Sequence, residues 1–410
     1  MDYLIKTQGF SRATIRLPAS KSISNRVLLL NALSSAPQAI QNLADCDDTN
    51  VMLQALQSPQ NEIDVKAAGT AMRFLTAYLA GKAGQWTITG TERMKNRPIK
   101  MLVDALNSLG AQIEYVDKAG FPPLRIYGNR LTGGETSLDG GVSSQYISAL
   151  LMVAPLMVNG LRLQLTGRVI SRPYLQLTIR LMKEFGVTVF EDGQLLTALP
   201  QPYIPVPFTV ESDWSAASYW YEIVALSADV EVFLTGLFAD SMQGDAHIAY
   251  LFDKLGVETC SDTDGILLRR KERSMDVPFQ CDFTDMPDMA QTFAVTCTAL
   301  GIPFCFNGLQ SLKIKETDRL AALCTELSKL GYILTEQDGK ILRWDGERTE
   351  PEDFSVIQTY DDHRMAMAFA PLALRRPEGI AIANIEVVTK SYPLFWEDLQ
   401  KADFKLINLD

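Results

Sequence analysis

Strand-like and helix-like apolar segments alternate along the chain in a pattern that recurs six times. In each copy a strand-like run ends at a glycine or asparagine, a loop follows, and an amphipathic helix comes next. The strand-like runs end at Asn42, Gly90, Gly167, Gly236, Gly308 and Asn384. The best copies of the helix lie in 102–113, 177–189, 249–259 and 323–334, where each passes through a Leu-Gly or Phe-Gly step into a further strand. The recurrence predicts a fold built from repeated strand–helix units.

A second helix-forming segment precedes each of these strand ends, and it is apolar on nearly all faces. The copies are 20–33, 69–80, 143–154, 212–226, 288–300 and 361–374. Small or polar residues open each copy, as N-caps do, and apolarity on every face is typical of a buried helix. Several helix N-termini in one place would form a site for phosphate or carboxylate, because each offers unpaired N–H groups and partial positive charge. The alternative for any single copy is a residue that only caps its helix.

The spacing of the copies predicts how the chain divides. Successive strand ends are 48, 77, 69, 72 and 76 residues apart, the differences of the positions above. These intervals are too long for a solenoid repeat and fit a unit of two strand–helix segments. The first interval is short and its segment 47–69 lacks the Leu-Gly-strand ending, so the first unit is predicted to be trimmed. Strands alternating with helices indicate an α/β or α+β fold, and the proline-rich segment 199–208 predicts a domain break near 205–212.

Composition narrows the class of protein. A chain of 410 residues with 47% hydrophobic content can bury a large core, and its length favours two or three domains. The formal charge of −11 argues against a nucleic-acid or anionic-membrane binder. No apolar run reaches eighteen residues and the first nine residues lack an apolar signal core, so neither a membrane span nor secretion is expected.

Cysteine and histidine usage further narrows the class of protein. Six cysteines without paired spacing predict reduced thiols in the cytoplasm. With only His247 and His363, a zinc site is not expected, and no glycine motif for a dinucleotide or a P-loop is present.

Cations occupy the loops and helix starts of the pattern, although the chain as a whole is acidic. They are Lys21, Arg26, Arg97, Lys315, Arg319, Arg364 and Lys390. The loop position seven residues after the strand end holds Arg97, Tyr174, Gln243 and Lys315, and Lys390 lies six residues after Asn384. Each side chain alone could simply be solvated. Their recurrence instead predicts loops that converge on small, highly charged ligands such as phosphorylated carboxylic acids, since a phosphate carries about −1.5 to −2 charges.

Acidic groups and a histidine add the capacity to move protons. Asp288 opens an apolar helix, where it is either an N-cap or a candidate base. If 313–320 is helical, Lys315 and Arg319 share one face with Glu316 beside them. The alternative there is a surface helix stabilised by ion pairs. His363 stands at the first turn of the apolar segment 361–374.

Eight motifs resemble those of a known family. PASKSISNR, AGTAMR, MKNRPI, SSQY, SRPY, SMQGD, KIKETDRL and DDHRMAM occur in the order found in the EPSP synthase (3-phosphoshikimate 1-carboxyvinyltransferase) family, over about residues 5–400. The resemblance implies a two-domain inside-out α/β barrel, with three βαβαββ units in each domain and pseudo-threefold symmetry. The expected domains are 1–19 with 212–410, and 20–211 with a shortened first unit, and the active site is expected in the cleft between them.

The same resemblance implies a reaction. The enolpyruvyl (carboxyvinyl) group of phosphoenolpyruvate would pass to the 5-hydroxyl of shikimate 3-phosphate, with release of phosphate through a tetrahedral intermediate. No cofactor and no metal are expected, and glyphosate is expected to inhibit. The protein is expected to be a cytoplasmic monomer without a nucleic-acid or membrane partner.

Site residues follow from the resemblance by motif. Those expected to bind shikimate 3-phosphate are Lys21, Ser22, Arg26, Ser143, Ser144, Gln145, Ser171, Tyr174, Asp288, Ser311 and Lys315. Those expected to bind phosphoenolpyruvate are Lys21, Gly69, Thr70, Arg97, Gln145, Glu316, Arg319, Arg364 and Lys390. The expected catalytic groups are Asp288 as base for the 5-hydroxyl, Glu316 with Lys21 as proton carriers at the enol carbon, and His363 in an orienting role.

Two departures from the family pattern accompany this interpretation, together with two alternatives, and one departure is the trimmed first unit just upstream of Gly69. Ala67 stands two residues before Gly69, where the family often has an acid or amide. A transferase that acts on a UDP-sugar relies on a cysteine in the loop near Arg97, and no cysteine occurs between Cys46 and Cys260. A binding protein that kept the fold without catalysis is the other alternative; the joint presence of Asp288, Glu316 and Lys21 argues against it.

Overall fold

The chain folds into two compact units, described by a computed structural model for residues 1–274 and 277–409. Unit 1 comprises Met1–Pro18 and the residues from Glu211 onwards, and unit 2 comprises Ala19–Val210. Both units mix helices and sheets, which confirms the predicted two-domain α/β class. None of the helices in the described residues has the length and apolarity of a membrane span.

Helices account for much of each unit. The α-helices of the described residues are α1 (Lys21–Leu33), α2 (Asp47–Gln57), α3 (Gly69–Gly81), α4 (Glu92–Lys95), α5 (Lys100–Ser108), α6 (Ser144–Val153), α7 (Arg172–Glu184), α8 (Trp214–Leu226), α9 (Ile248–Lys254), α10 (Ala290–Leu300), α11 (Arg319–Lys329), α12 (His363–Phe369) and α13 (Phe395–Lys401). Short 3-10 helices lie at Ala154–Leu156, Gly244–His247, Pro287–Met289, Gln310–Ile314, Ala370–Leu374 and Ile385–Lys390.

The strands are short and numerous. They are β1 (Tyr3–Thr7), β2 (Arg12–Arg16), β3 (Ile40–Gln41), β4 (Glu62–Asp64), β5 (Gly84–Thr89), β6 (Gln112–Tyr115), β7 (Leu124–Gly128), β8 (Gly134–Asp139), β9 (Leu161–Thr166), β10 (Val189–Asp192), β11 (Leu195–Ala198), β12 (Phe208–Thr209), β13 (Glu231–Thr235), β14 (Val257–Ser261), β15 (Gly265–Arg270), β16 (Phe279–Asp282), β17 (Phe304–Asn307), β18 (Thr335–Gln337), β19 (Ile341–Trp344), β20 (Val356–Ile357), β21 (Ile380–Ile382) and β22 (Phe404–Asn408).

Three buried helices pack together at the centre of each unit. In unit 2 these are α1, α3 and α6, which contact one another. In unit 1, α10 contacts both α8 and α12, and the 3-10 turn that continues α12 contacts α8. All seven residues of α12 and all of α8 except Ser215 are buried. These are the segments whose apolarity on all faces predicted buried helices, because a helix surrounded by other elements has no face left for water.

Five of the sheets share one topology. Each has a parallel pair, and the second strand of that pair is followed by two antiparallel neighbours. The orders are β4-β5-β7-β6 and β8-β9-β11-β10 in unit 2, and β2-β13-β15-β14, β16-β17-β19-β18 and β20-β21-β1-β22 in unit 1. Alternate residues of β9 are buried, so one face of its sheet packs inward and the other meets solvent. Helices inside and half-exposed sheets outside are the inside-out arrangement expected for each domain.

The remaining copy, which comes first along the chain, is incomplete. Its sheet has only the parallel pair β3 and β12, in which Ile40 pairs with Phe208. The copy keeps its two helices, α1 and α2, but the antiparallel pair found in the other five sheets is not part of it. This is the copy with the shortest interval in the sequence.

Backbone conformation explains why the strand ends are glycine or asparagine. Five of the six adopt φ between 49° and 78°: Asn42, Gly167, Gly236, Gly308 and Asn384. That region suits glycine, and asparagine tolerates it better than most residues. The sixth, Gly90, is required by space instead, since a Cβ there would lie 2.5 Å from the carbonyl oxygen of Lys66.

The prediction for 313–320 is wrong in one respect. Helix α11 begins only at Arg319, and Lys315 has extended backbone angles at the end of a 3-10 turn. Asp318 sets this start, because its side chain accepts a hydrogen bond from the Ala321 N–H at 3.2 Å. Lys315 and Glu316 therefore precede the helix and do not share a helical face with Arg319.

Candidate functional site

A buried arginine organises the candidate site residues of unit 1. The side chain of Arg319 is 1% exposed, and it binds three carboxylates. Its Nε and Nη2 donate to the two oxygens of Asp362 at 2.6 and 3.2 Å. Its Nη1 donates to Asp288 at 2.7 Å and its Nη2 to Glu316 at 3.1 Å. The planar guanidinium has five donors in a fixed geometry, which suits it to fix several carboxylates at once.

Three more cations surround the same carboxylates. Asp288 lies 3.2 Å from Lys315 Nζ and 3.4 Å from Arg364 Nη2. Glu316 lies 2.9 Å from Lys390 Nζ. The structure thus brings together Asp288, Lys315, Glu316, Arg319, Arg364 and Lys390, all of which the sequence nominated. Four cations thus lie against three carboxylates, within a chain of formal charge −11.

The electrostatics keep Asp288 ionised. Burial by itself raises the pKa of Asp288, but Lys315, Arg364 and Arg319 outweigh burial and hold that pKa well below the usual range. Its side chain is still 19% exposed, so the carboxylate is accessible from outside the protein core. An accessible carboxylate that stays charged at neutral pH is in the form that accepts a proton.

Two further predicted residues lie in unit 1. His363 is 1% exposed, and its Nδ1 lies 3.8 Å from an oxygen of Asp362. Ser311 lies in the 3-10 turn Gln310–Ile314, and its buried hydroxyl has no hydrogen-bond partner among the described residues. A buried hydroxyl in that state is available to a bound polar group.

Sequence analysis missed three polar residues around this cluster. Asp362 is fully buried, binds Arg319 and caps α12 by accepting from the Arg364 N–H at 3.0 Å. The Tyr219 hydroxyl accepts from Arg364 Nη1 at 3.4 Å. Asp245 accepts from the Ser215 hydroxyl, and burial raises its pKa to about 6. The two consecutive acids in DDHR could have indicated a role for Asp362, whereas nothing in the sequence distinguishes Tyr219 from other buried tyrosines.

In unit 2 the predicted residues gather at helix starts. Gln145 Nε2 donates to the Thr70 hydroxyl at 3.1 Å, which joins the starts of α6 and α3. Ser143 caps α6 and accepts from the Gln145 N–H, and Ser144 follows it, nearly buried. At the start of α1, Lys21 Nζ lies 3.2 Å from a carboxylate oxygen of Asp48, a residue that sequence analysis did not nominate. Helix starts with their own donors are suited to bind anions.

Arg26 ties α1 to α7. It is 3% exposed, and it donates to the Thr178 hydroxyl at 2.7 Å and to the carbonyls of Ser22 and Tyr174 at 2.8 and 3.3 Å. Burial lowers the pKa of Arg26 to about 10, which leaves it charged at neutral pH. These three contacts fix the backbone around Ser22 and Tyr174, and an arginine has five N–H groups, so two remain for other acceptors. Ser171, at φ 54°, immediately precedes α7.

Gly69 and Arg97 lie against each other. A Cβ at Gly69 would meet Arg97 Nη1 at 2.7 Å and Arg73 Nη1 at 3.1 Å. Arg73, which sequence analysis left without a role, donates to the Gly69 carbonyl at 3.0 Å and to the Pro98 carbonyl at 3.4 Å. It thereby fixes the loop that carries Arg97. The glycine is needed for this close approach of two guanidinium groups.

No metal site accompanies these clusters. Within the part of the chain that the structure describes, no three His, Cys, Asp or Glu side chains are grouped so as to hold a metal ion. The Arg319 cluster of unit 1 offers positive charge and one carboxylate that can accept a proton. The helix starts of unit 2 offer positive charge with hydroxyl and backbone donors.

Comparison with known proteins identifies similar sequences. The model of the family described as EPSP synthase (3-phosphoshikimate 1-carboxyvinyltransferase) matches residues 5–58 and 56–399. A 3-phosphoshikimate 1-carboxyvinyltransferase of Bacteroides fragilis (strain YCH46) is 57% identical over 405 residues, which cover 98% of each chain. One of Vibrio cholerae serotype O1 (strain M66-2) is 37% identical, covering 93% of this chain and 95% of that one.

Solved structures share the fold. An EPSP synthase from Acinetobacter baumannii superposes with a TM-score of 0.78 at 19% identity, covering 99% of both chains. The enolpyruvyl transferase NikO from Streptomyces tendae gives 0.76 at 16% identity, covering 100% of this chain and 99% of that one. At these identities the likeness concerns the fold alone.

The buried network makes a prediction for stability. Arg319→Met removes the guanidinium that binds three carboxylates, one of which is the fully buried Asp362. We expect the free energy of unfolding to fall by about 3–5 kcal/mol, as for other buried ion pairs that lose one partner. Urea denaturation followed by tryptophan fluorescence measures it, because Trp214, Trp220, Trp344 and Trp396 all lie in unit 1.

Arg343→Met is the matched control. Arg343 also pairs with an aspartate in unit 1, at 2.6 Å from Asp345, but both side chains are about half exposed. Exposed pairs contribute little, so this variant should unfold close to the wild type. Equal losses in the two variants would contradict the organising role of Arg319.

Proposed function

Because the chain belongs to the EPSP synthase (3-phosphoshikimate 1-carboxyvinyltransferase) family, we propose that it transfers the enolpyruvyl group of phosphoenolpyruvate to the 5-hydroxyl of shikimate 3-phosphate and releases phosphate. The reaction belongs to the shikimate pathway, which leads to chorismate and the aromatic amino acids. The observation that carries the proposal is the Arg319 cluster, in which cations that suit anionic substrates surround a carboxylate that stays ionised. The cytoplasmic location and the monomeric state stay predictions from the sequence.

Asp288 is the proposed base. It would take the proton of the 5-hydroxyl as that oxygen attacks C2 of phosphoenolpyruvate, while C3 gains a proton from Lys21 or Glu316. The tetrahedral intermediate then loses a C3 proton and phosphate, and the enol ether forms. A base of very low pKa is weak, but bound anions that neutralise Lys315 and Arg364 would raise the pKa of Asp288.

The proposed shikimate 3-phosphate groups are hydroxyls, amides and cations. In unit 2 they are Lys21, Ser22, Arg26, Ser143, Ser144, Gln145, Ser171 and Tyr174, and in unit 1 they are Asp288, Ser311 and Lys315. Two observations support this assignment. Arg26 holds Ser22 and Tyr174 in place, and the Ser311 hydroxyl lacks a partner among the described residues.

Phosphoenolpyruvate would engage the guanidinium and ammonium groups. The proposed residues are Lys21, Gly69, Thr70, Arg97, Gln145, Glu316, Arg319, Arg364 and Lys390. Arg319 differs from the others, because it is buried and its guanidinium already binds the carboxylates of Asp288, Glu316 and Asp362. Its proposed part is to hold Asp288 and Glu316, with Arg97, Arg364 and Lys390 as the groups that contact the substrate. His363, buried beside Asp362, would orient the start of α12.

The alternative substrate, a UDP-sugar, is not favoured. That chemistry depends on a cysteine in the loop near Arg97, and Lys95, Asn96 and Pro98 surround Arg97 here. The loss of catalysis in a binding protein is not favoured either, because Asp288 keeps the environment of a charged carboxylate within reach of solvent.

A two-substrate assay tests the proposal. Purified protein should release inorganic phosphate only when shikimate 3-phosphate and phosphoenolpyruvate are both present. Release from phosphoenolpyruvate with UDP-N-acetylglucosamine would overturn the assignment.

In the same assay Asp288→Asn should lower kcat by about 100- to 10,000-fold, the usual contribution of a positioned base. Asp285→Asn, an exposed carboxylate in the same loop, is the control and should keep kcat. An unchanged kcat in Asp288→Asn would remove Asp288 from the base role.

Gly69 gives a prediction for phosphoenolpyruvate and its mimic glyphosate. Glyphosate should inhibit competitively with phosphoenolpyruvate. Gly69→Ala would push the Arg97 guanidinium aside, since the new Cβ would lie 2.7 Å from Nη1. We expect the KM for phosphoenolpyruvate and the inhibition constant of glyphosate to rise about tenfold or more, equivalent to about 1.4 kcal/mol of binding.

The matched control is Gly81→Ala at the other end of α3, where a Cβ would meet no atom within 4 Å. It should leave both constants unchanged. If Gly69→Ala binds both ligands as the wild type does, Arg97 is not a phosphoenolpyruvate contact.

A further inference from the structure

Unit 2 contains a cavity at the opposite end of its central helices from the predicted binding residues at the helix starts. It has a volume of about 230 Å³ and lies at the C-terminal ends of α1, α3 and α6. Lys21, Gly69, Thr70, Ser144 and Gln145 stand at the N-terminal ends of the same helices. A helix of thirteen residues is about 20 Å long, so the cavity is separate from those residues.

Most of the cavity wall is apolar, and two cations stand beside it. Leu33, Leu131 and Met157 line it, together with Lys82 and Arg130. Neither cation forms an ion pair within residues 1–274 and 277–409. A cation beside an apolar cavity wall, without a carboxylate of the protein, is available to pair with the anionic group of a ligand.

The position of Lys82 is fixed by aromatic rings. Its Nζ lies 5.0 Å from the centre of the Trp86 ring and 5.4 Å from that of Tyr78, which also lines the cavity. Cation–π contacts of this kind orient an ammonium group without neutralising its charge. Arg130 is exposed at the mouth, where its planar fork could bind a carboxylate through two parallel hydrogen bonds.

The helix ends do not cancel this positive charge. Helix C-termini carry partial negative charge through their unpaired carbonyls. Here those carbonyls have donors: Ala80 accepts from the Asn129 N–H at 3.0 Å, and Met152 accepts from the Tyr203 hydroxyl at 2.7 Å. The Asn31 carbonyl accepts from Ser34 Oγ at 2.7 Å. These donors reduce the partial negative charge that the helix ends place near the cavity.

We propose that this cavity binds a small carboxylic acid with an apolar body, whose carboxylate pairs with Lys82 and Arg130. The volume is below the range of roughly 300–1,000 Å³ typical of drug-sized sites, so the ligand is a small one with a single ring or short chain. A phosphorylated sugar does not suit the site, because the apolar wall offers its hydroxyls no partners. The site is independent of the proposed transferase activity.

Binding of 3-phenylpropanoate to the full chain tests the proposal, with 3-phenylpropanamide as the neutral analogue of the same shape. Methionine methyl groups labelled with carbon-13 locate the ligand by NMR. Met157 lines the cavity, whereas Met72 is buried in α3 near Gly69 and serves as the remote reporter. We expect the acid to shift the Met157 signal alone, with a Kd on the order of 1 mM for so small a ligand. The amide should bind at least fivefold more weakly.

Substitutions distinguish the contribution of the two cations to binding from that of the cavity shape. Lys82→Met combined with Arg130→Gln should raise the Kd at least fivefold. Lys118→Met is the matched control, because Lys118 also stacks on an aromatic ring, 4.1 Å from the centre of Phe121, but does not line the cavity. Ala32→Phe should fill the cavity and abolish binding. If that variant fails to fold, the charge variants at the half-buried Lys82 and the exposed Arg130 decide.

Three results would overturn the proposal. They are equal affinity for the acid and the amide, an unchanged Kd in the Lys82→Met/Arg130→Gln variant, and a Met157 signal that does not move at 20-fold the expected Kd. A shift at Met72 in place of Met157 would assign the ligand to the helix starts and would also contradict it.

Discussion

The burial of Arg319 among three carboxylates is the interaction on which unit 1 depends. One guanidinium fixes the loop before α10 through Asp288, the segment before α11 through Glu316, and the start of α12 through Asp362. Removing these charges from water costs free energy that only their mutual contacts offset. The arrangement therefore forms as a whole, and it places Lys315, Arg364 and Lys390 around the carboxylates.

Unit 2 also holds buried positive charge in place, but through different contacts. Its buried cations Arg26 and Arg73 bind backbone carbonyls, so they carry charge while they hold loops in place. Both lie beside aromatic rings, Arg26 over Phe74 and Arg73 over Tyr146. Buried positive charge of this kind favours the binding of anions. Three helix starts add donors to it.

The repeats and the buried helices were predictable from the sequence, because apolarity on every face and a recurring glycine or asparagine are local signals. The start of α11 was not, since a cap at Asp318 competes with helix formation at Lys315 and the tertiary contacts of Arg319 favour the cap. Asp362 and Arg73 looked like ordinary polar residues, and only packing gives them partners. The acid Glu222 lies fully buried in α8, where burial raises its pKa well above the usual range, although its segment reads as apolar.

Ionisation of Asp288 in the folded protein is the central claim, and a carbon-13 NMR titration of its carboxyl tests it most directly. Its folded pKa is depressed, so the ion pairs contribute stability above the ordinary aspartate pKa of about 3.9, and that contribution is lost as pH falls through the folded value. The carboxyl signal should stay that of the ionised form down to pH 3.8 and change only below it. A midpoint at or above 3.9 would contradict the account, because Lys315, Arg319 and Arg364 would then not control this carboxylate.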